Sequence, residues 1–511
     1  MNNQDNKLNK FFRLLWLIPV IALGYIGWAN LLPFGGVISH SIDIGSHDTE
    51  GMAILTGPFN RVSEPIELGN QNHRELEHSL VYFEVKDTNL LKASGVAVSI
   101  RFRDDFPPDA AFVLGARNGP EWAYSWREIY VPFYEELTDR TQKLAEKNIT
   151  VYSTGGGSVE EFSSVEDFIQ NPPLGAIIAT NDTNLPINQS PVNIPLAVNA
   201  PEHKLTIDTS FRGTHTLWTY VNSDTLELVV VKQDLNWYEE PDELLVEIYT
   251  VNDELLSEII IPDDGDSEAS KELGPLQEDI IIVDIPQPGA FRIELKNNDD
   301  LLINRIEINQ PKLVVAKRLY LAGNNPIFYP GTAGVESVDI FGVNYSESPV
   351  SFYTWHNAGL QTVSVSGGGY NETVEINEVQ TSYATVVASG DYQISVPLQD
   401  LLIKTPGYFS FSPESYFLPR RCELVSMRYD IDWLLKNTDY LIINTEDYSA
   451  PVNDEGWLIA ETQWWVNDLY IINDSLRFSL NVPHIASNPE YPIAVDRIDI
   501  ILEIEPIWKR P

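Results

Sequence analysis

Hydrophobic and polar residues alternate along most of this chain with a period of two. At 96–102, for example, Val98 and Ile100 fall on one side of an extended segment and Ser99 on the other, and 291–296 shows the same pattern. Such alternation indicates strands with one face on a core and one in water. Because strands of this kind recur about every 8 to 12 residues with turns between them, we expect an all-β protein of tandem antiparallel β-sandwich or jelly-roll-like domains.

Helices are expected at only a few places in the body of the chain. Pro132 is suited to open a helix that continues through Leu144, with Lys147 late in it to match the helix dipole. A capping box at 163–166 predicts a second, short helix. A third is expected at 431–437, so the helices are minor additions to the sheets.

The most apolar stretch covers 14–34 and carries no charge. At about 1.5 Å per residue, its roughly 21 residues reach about 30 Å, the thickness of the hydrocarbon core of a bilayer. Lys7, Lys10 and Arg13 precede it, and basic residues favour the cytoplasmic side. We therefore expect a cytoplasmic tail at 1–13, a single-pass transmembrane helix that anchors the chain in the cell membrane, and an extracellular remainder.

A cleavable signal peptide is the alternative interpretation of this stretch. Gly27, Trp28 and Ala29 resemble a weak cleavage site, and signal peptides have shorter apolar cores of about 7 to 15 residues. The apolar run continues through Leu31 to Phe34, which favours an anchor over a cleaved signal.

With 511 residues, the chain is long enough for about three domains. A segment rich in proline and asparagine is expected to act as a stiff linker. The resulting division is a β-rich domain with two helices at 37–180, the linker at 181–202, a β-sandwich at 203–316, and a β-rich region of one or two domains at 317–511. Strands of the sandwich are expected at 204–210, 214–221, 225–232, 243–250, 254–261, 279–284, 289–296 and 301–308.

The charge of the chain is strongly negative, with 74 acidic and 33 basic residues and a formal net charge of −41. Such a body repels nucleic acid, which is therefore excluded as a partner. Cys422 is the only cysteine, so an intrachain disulfide is excluded, and we expect a buried and unreactive thiol there. Stability must then come from core packing, with ions or glycans as additional sources.

Catalytic motifs are missing from the sequence. It contains no HExxH, P-loop, dinucleotide fingerprint or GxSxG, and its eight histidines are scattered. Acidic pairs are too frequent to indicate a glycosidase, which needs two carboxylates fixed across a glycosidic bond. The sequence therefore predicts a protein that is not an enzyme and has no catalytic residues.

The best ion-binding pattern is the turn at 262–266. Asp263, Asp264 and Asp266 offer clustered carboxylate oxygens of the kind that calcium prefers. The bidentate glutamate of an EF-hand is missing, so an acidic hairpin tip without an ion is the competing interpretation. Calcium is the one cofactor that the sequence suggests.

Two further patterns bear on an exported protein. Adjacent Trp464 and Trp465 must face opposite ways on a strand, so one is expected in the core and one outside, where it could stack on a sugar. Glycosylation is possible at N-x-S/T sequons. These are Asn148, Asn181, Asn188, Asn344, Asn371 and Asn473.

Four runs carry a resemblance to known sequences: FRGTHT at 211–216, KQDLNWY at 232–238, IPDDGD at 261–266 and INRIEINQ at 303–310. With these, the chain resembles uncharacterised single-anchor surface proteins of very small prokaryotic cells. The resemblance implies an envelope location and β-rich domains, and it implies no activity.

We therefore expect a membrane-anchored extracellular protein with a structural or interaction role in the cell envelope, such as an S-layer-like component that associates with itself or with other envelope proteins. The alternatives are a glycan-binding or adhesion protein and, ranked lower, a surface glycoside hydrolase.

Overall fold

The computed structural model is built mainly of antiparallel β-sheets, which confirms the predicted fold class at that level. It describes residues 17–29, 35–44, 53–56, 58–68, 71–103, 111–120, 122–138, 143–154, 158–194, 204–266, 268–322, 337–427, 431–486, 492–506 and 509.

The strands follow one another along the described chain with few interruptions. They are β1 (Gly36–Asp43), β2 (Ala53–Thr56), β3 (Ile66–Leu68), β4 (Gln71–Leu76), β5 (Leu80–Lys86), β6 (Ala93–Phe102), β7 (Phe112–Arg117), β8 (Tyr124–Tyr130), β9 (Lys143–Glu146), β10 (Ile149–Ser153), β11 (Ile177–Thr180), β12 (Leu205–Ile207), β13 (Phe211–Arg212), β14 (His215–Val221), β15 (Thr225–Asp234), β16 (Leu244–Thr250), β17 (Leu255–Ile261), β18 (Gln277–Asp284), β19 (Gly289–Lys296), β20 (Leu301–Ile308), β21 (Leu313–Leu321), β22 (Val338–Asn344), β23 (Ser348–Tyr353), β24 (Gln361–Gly367), β25 (Tyr370–Ile376), β26 (Tyr383–Val387), β27 (Gly390–Val396), β28 (Leu401–Ser410), β29 (Glu423–Ser426), β30 (Tyr440–Asn444), β31 (Val452–Asp454), β32 (Trp457–Trp465), β33 (Ser475–Asn481) and β34 (Ile493–Ile504).

The chain divides into two compact units, and each combines segments that are distant in sequence. Unit 1 comprises 1–161, 179–183 and 426–511, and unit 2 comprises 162–178 and 184–425. The chain passes from one unit to the other after residues 161, 178, 183 and 425, and the second and fourth of these points fall within β11 and β29.

Two sheets of unit 1 share one hydrophobic core. The first has the strand order β3-β4-β34-β6-β32-β31, with β1 also paired to β34, and the second has the order β2-β5-β33-β7-β8. Ile100 of β6 and Phe478 of β33 belong to the same buried cluster. Inward-facing positions of both sheets therefore form a sandwich-like core.

Strands from the two ends of the sequence are interleaved in unit 1. Ile498 of β34 lies opposite Ile42 of β1 on one side and Ile100 of β6 on the other, and β33 lies between β5 and β7. This pairing differs from the sequence-based division, which placed 37–180 and 317–511 in separate domains. Local patterning shows which residues form strands and contains little information about which distant strands pair.

Unit 2 contains a sheet in which β12 to β28 follow one another in sequence order. Additional pairings, such as β14 with β19 and β15 with β20, bring non-neighbouring strands together around one large apolar cluster. From 214 onward, the strands predicted for the sandwich are confirmed by β14 to β20. The strand predicted at 204–210 is β12, and β13 follows it after a short break.

The α-helices among the described residues are short. They are α1 (Leu17–Ala29), α2 (Pro132–Thr138), α3 (Val165–Gln170) and α4 (Ile431–Asn437). The extension of α2 through Leu144 is wrong: Leu144 lies on β9, opposite Val151 of β10. A strand partner outweighs local helix propensity there. The cap of α3 is also displaced by one residue, since the Ser164 hydroxyl accepts the Asp167 N–H at 3.0 Å.

The N-terminal prediction is described only in part. Helix α1 covers 17–29, whereas the predicted tail at 1–13 and both ends of the predicted anchor lie outside the described residues. No helix among the described residues has the length and apolar character needed to cross a membrane.

The predicted linker is likewise described in part, over 181–194. Ile187 is buried, and Val192 forms an antiparallel bridge with Leu418 of the same unit. Residues 184–194 therefore belong to unit 2 and 181–183 to unit 1, while 195–202 lies outside the described residues.

Candidate cation site

Three chain segments of unit 2 bring acidic side chains together. Strand β15 ends with Lys232 and Asp234, the β15–β16 loop supplies Asp242, and the turn after β17 supplies Asp263 and Asp264. The register of β15 against β20 shifts between Val231 and Lys232. This irregularity interrupts the regular ladder just before the two charged residues, both of which are fully buried.

Lys232 and Asp234 form an ion pair inside the protein. The Lys232 ammonium donates to both carboxylate oxygens of Asp234, at 2.9 and 3.1 Å, and to the main-chain oxygen of Asp242. Burial of an ammonium group is tolerated because these three acceptors replace water.

The carboxylates of Asp234, Asp263 and Asp264 converge. One oxygen from each lies within 4.8 Å of the others. Backbone groups hold the arrangement: the Asp264 N–H donates to Asp234 at 3.0 Å, and the Asp242 N–H donates to Asp263 at 2.9 Å. The strand end and the turn are thus fastened to each other through the acidic side chains themselves.

Buried oxygen atoms next to this group lack a hydrogen-bond donor. They are Oδ1 of Asn236, Oδ2 of Asp242 and Oδ1 of Asp300. All three residues are at most 2 % exposed. Native proteins rarely leave buried acceptors unsatisfied, because desolvation without a replacement partner costs about 1–3 kcal/mol.

The electrostatics of the cluster favour an added positive charge. Burial, together with the charges of Asp300 and Asp234, raises the pKa of Asp242 to about 6. Burial also raises the pKa values of Asp234 and Asp300. One buried ammonium group cannot neutralise all of these carboxylates, so ionisation of the others costs free energy. A bound cation lowers that cost.

The donor set consists of oxygen atoms, which hard cations prefer. Calcium takes about six to eight oxygens at roughly 2.3–2.6 Å, so two ligands of one ion lie up to about 5 Å apart. The spacing of the Asp234, Asp263 and Asp264 oxygens fits that limit. Carboxylate and amide oxygens of Asp242 and Asn236 lie on the same loop and suit the same chemistry.

The structure brings two of the three aspartates that the sequence offered as calcium ligands into this cluster. Asp263 and Asp264 belong to the cluster, whereas Asp266 lies outside it and donates its N–H to Asp264 at 2.9 Å. Asp234 was missed because it comes some thirty residues earlier on another strand. The signal that could have found it is the pair of charged residues at the end of the apolar strand β15.

The six sequon asparagines fall into two groups. Asn148, Asn371 and Asn473 are exposed. The other three side-chain amides donate to main-chain oxygens: Asn181 to Asn444 at 3.0 Å, Asn188 to Gln170 at 2.8 Å and Asn344 to Val387 at 3.3 Å.

The structure also describes Trp464, Trp465 and Cys422, which the sequence analysis singled out. Trp464 is buried and Trp465 is exposed, as the alternation predicts. Cys422 is buried, and burial raises the pKa of its thiol to about 12, so the thiol stays protonated at neutral pH. No cluster of metal-ligating type other than the aspartate group is found among the described residues.

Comparison with known proteins adds little. No family model matches the chain, and no curated protein matches it. Among solved structures, it is similar to dimeric latent PorU from Porphyromonas gingivalis, with 10 % identity, a TM-score of 0.15, and coverage of 66 % of this chain and 37 % of that chain. The chain thus spans little more than a third of that protein.

Two other solved structures are similar to the chain at an equally low level. The chain is similar to the VP2 subviral particle of infectious bursal disease virus, with 10 % identity, a TM-score of 0.15, and coverage of 89 % and 83 %. It is also similar to the CBM22-1–CBM22-2 tandem domain of Paenibacillus barcinonensis Xyn10C, with 8 % identity, a TM-score of 0.13, and coverage of 48 % and 80 %. TM-scores of this size carry no functional inference.

Proposed function

We propose that this chain is a structural or interaction protein of the cell envelope, held at a membrane by its apolar N-terminal segment with the β-rich body outside. The observation that carries the proposal is the surface of α1. Its large apolar side chains are 44–69 % exposed: Ile18, Val20, Ile21, Leu23, Tyr25, Ile26 and Trp28. A helix that is apolar on every side needs an apolar environment, and the adjoining sequence prolongs the apolar run to 14–34.

The properties of the body support an exterior role. Its many acidic residues keep it soluble, and its long sheets offer a large surface for lateral association. We further propose that calcium bound by Asp234, Asp263 and Asp264 stabilises unit 2, since a cation compensates the buried carboxylates. S-layer-like arrays are the assembly that this combination suits best.

The location is tested by fractionation of cells that produce the full chain with a C-terminal reporter. We expect the chain in the membrane fraction, resistant to alkaline extraction, with the reporter accessible from outside. The double substitution Ile21→Arg and Leu23→Arg should release it, because each charge in the bilayer centre costs about 2.5–3.5 kcal/mol. A matched double substitution to valine should not. A reporter that resides in the cytosol overturns the proposal.

A second candidate function, glycan binding or adhesion, is supported by a different observation. Large aromatic side chains remain exposed on unit 1, Trp122 and Trp126 among them. Exposed tryptophans on a rigid sheet provide flat apolar surfaces of the type on which sugar rings stack. Binding of the full chain to a panel of polysaccharides tests this function.

A further inference from the structure

The outer face of the β2-β5-β33-β7-β8 sheet carries a continuous row of aromatic rings. Tyr124 and Trp126 of β8 have ring centroids 5.4 Å apart, and Tyr82 of β5 lies 6.4 Å from Tyr124. Trp122, in the loop before β8, lies 6.1 Å from Tyr82. We call these four residues the aromatic row. Three of its members come from the stretch 122–126, and the fold brings Tyr82 to them.

A glycine allows one ring of the row to lie against the sheet. Gly115 of β7 is opposite Trp126 in the β7–β8 register. A Cβ atom at Gly115 would come within 2.7 Å of two atoms of the Trp126 ring. Because glycine has no side chain, the indole ring covers the strand and leaves its other face to solvent, with Trp126 still 43 % exposed.

Trp122 is held outward by a backbone conformation that bulky residues rarely adopt. Its φ angle is +59°, in the left-handed region, which non-glycine residues rarely adopt. The guanidinium groups of Arg117 and Arg477 lie 5.6 and 5.4 Å from its ring centroid. These cation–π contacts fix the ring although it is 60 % exposed.

A cleft with an excess of positive charge adjoins the row. Its volume is about 270 Å³, and Lys86, Arg117, Arg477 and Glu84 contribute its charged lining. Glu84 offsets one of the three cations through its contact with Arg477 at 3.4 Å. On a chain with a net charge of −41, a local cationic excess beside exposed aromatic rings is complementary to an anionic ligand.

We propose that the aromatic row and the adjoining cleft bind an anionic polysaccharide. Sugar rings stack on Trp122 and Trp126, and the carboxylate or sulfate groups of the chain contact Arg117 and Arg477. Guanidinium groups suit this role because their planar donors match the oxygens of such anions. The inference rests on the second candidate function and names its site and ligand class.

Isothermal titration calorimetry on the full-length chain in detergent tests the proposal, with alginate and dextran sulfate as carboxylated and sulfated probes and dextran as the neutral probe. We expect both anionic polymers to bind, more weakly as salt is raised, and dextran to bind at least tenfold more weakly. Trp122→Ala should weaken binding about tenfold, the equivalent of one lost aromatic contact. Arg477→Gln should also weaken it and reduce the salt dependence.

Trp465→Ala is the matched control, because Trp465 is 68 % exposed but lies on the other sheet of unit 1. It should bind as the parent does, and circular dichroism should show the same fold for all variants. Binding that is lost in Trp465→Ala and kept in Trp122→Ala overturns the assigned site and leaves glycan binding in place. Equal binding of dextran overturns the charge assignment. Binding of none of the three polymers overturns the proposed site and ligand class, whereas the second candidate function is decided separately by the wider panel of polysaccharides.

The glycosylation sequon at the cleft calls for one further comparison. Asn473 lines the same cleft, so a glycan attached there is the competing occupant. The protein should therefore be compared with its Asn473→Gln variant, produced in the same glycosylating host. Equal or tighter binding of alginate by the variant supports a separate polysaccharide as ligand, whereas binding that depends on Asn473 overturns it.

Discussion

Lys232 and Asp234 form an ion pair that is completely shielded from solvent, with the ammonium nitrogen 2.9 Å from the nearer carboxylate oxygen. The two residues are separated by one position on β15, so a single strand end places opposite charges side by side in the interior. Pairs of this kind add little net stability, but loss of one partner leaves the other charge buried alone.

Replacement of Asp234 by asparagine should therefore destabilise unit 2 by about 3–5 kcal/mol. Urea unfolding in the presence of a chelator measures this loss without a contribution from bound cation. Glu278→Gln is the control, since its contact with Arg305 at 2.8 Å joins two exposed side chains and should be worth at most about 1 kcal/mol. Equal losses for the two variants would contradict the role assigned to burial.

Calcium should bind the full chain and raise its unfolding temperature. Asp263→Asn and Asp264→Asn each remove a charged ligand and should lower the calcium affinity at least tenfold, as measured by calorimetry. Asp266→Asn is the matched control, because Asp266 lies in the same turn but outside the converging oxygens. A saturating ion present at about 100 times its Kd stabilises by about 2.7 kcal/mol. If Asp266→Asn alone lost calcium affinity, the assignment of Asp263 and Asp264 as ligands would be refuted.

Glycan occupancy should follow the environment of each asparagine. In a host that glycosylates exported proteins, Asn148, Asn371 and Asn473 should be modified, because their side chains are exposed. Asn344 should remain unmodified, since it is 5 % exposed and its amide donates to the Val387 carbonyl. Peptide mass spectrometry reads all of these sites in one experiment, and full occupancy at Asn344 would be the contrary result.

The sequence predicted the strands of unit 2 well because their signal is local. In β19, for example, buried Ile293 and Leu295 alternate with half-buried Glu294, which is the period-two pattern that predicted the strand. This pattern is contained within a few consecutive residues.

What the sequence could not provide is the pairing of distant segments. Ile100 and Ile498 lie opposite each other on paired strands although almost 400 residues separate them in sequence. No local feature of either strand indicates its pairing partner. The cation site illustrates the same limit, since Asp263 and Asp264 are adjacent whereas Asp234 reaches them only through the fold. The aromatic row likewise joins Tyr82 to residues 122–126.

His215 and Asp242 should give opposite responses to acid. His215 is buried and neutral: its Nδ1 donates to the Gly213 carbonyl at 2.7 Å and its Nε2 accepts the Tyr320 N–H at 3.0 Å. Burial lowers its pKa to about 4, from the ordinary value of 6.5. Below pH 6.5 the unfolded chain takes up a proton that the folded chain refuses, so this histidine makes the protein less stable as the pH falls toward 4.

Asp242 acts in the other direction over much of the same range. Its pKa is raised to about 6, so between about pH 4 and 6 the folded protein retains a proton that the unfolded chain releases. Acid therefore favours the folded state at this residue. Each effect amounts to about 3 kcal/mol, and the two should largely cancel in the chelated protein.

Single substitutions should separate the two contributions. In a chelator, Asp242→Asn should show stability that falls as the pH drops from 6.5 to 4, and His215→Gln should show stability that rises over that range. Urea midpoints at several pH values measure both slopes, and the difference from the parent removes the other titrating groups. Calcium favours ionised Asp242, so saturating calcium should make the parent resemble Asp242→Asn. Parallel slopes for the parent and both variants would show that neither group has the shifted pKa on which the argument depends.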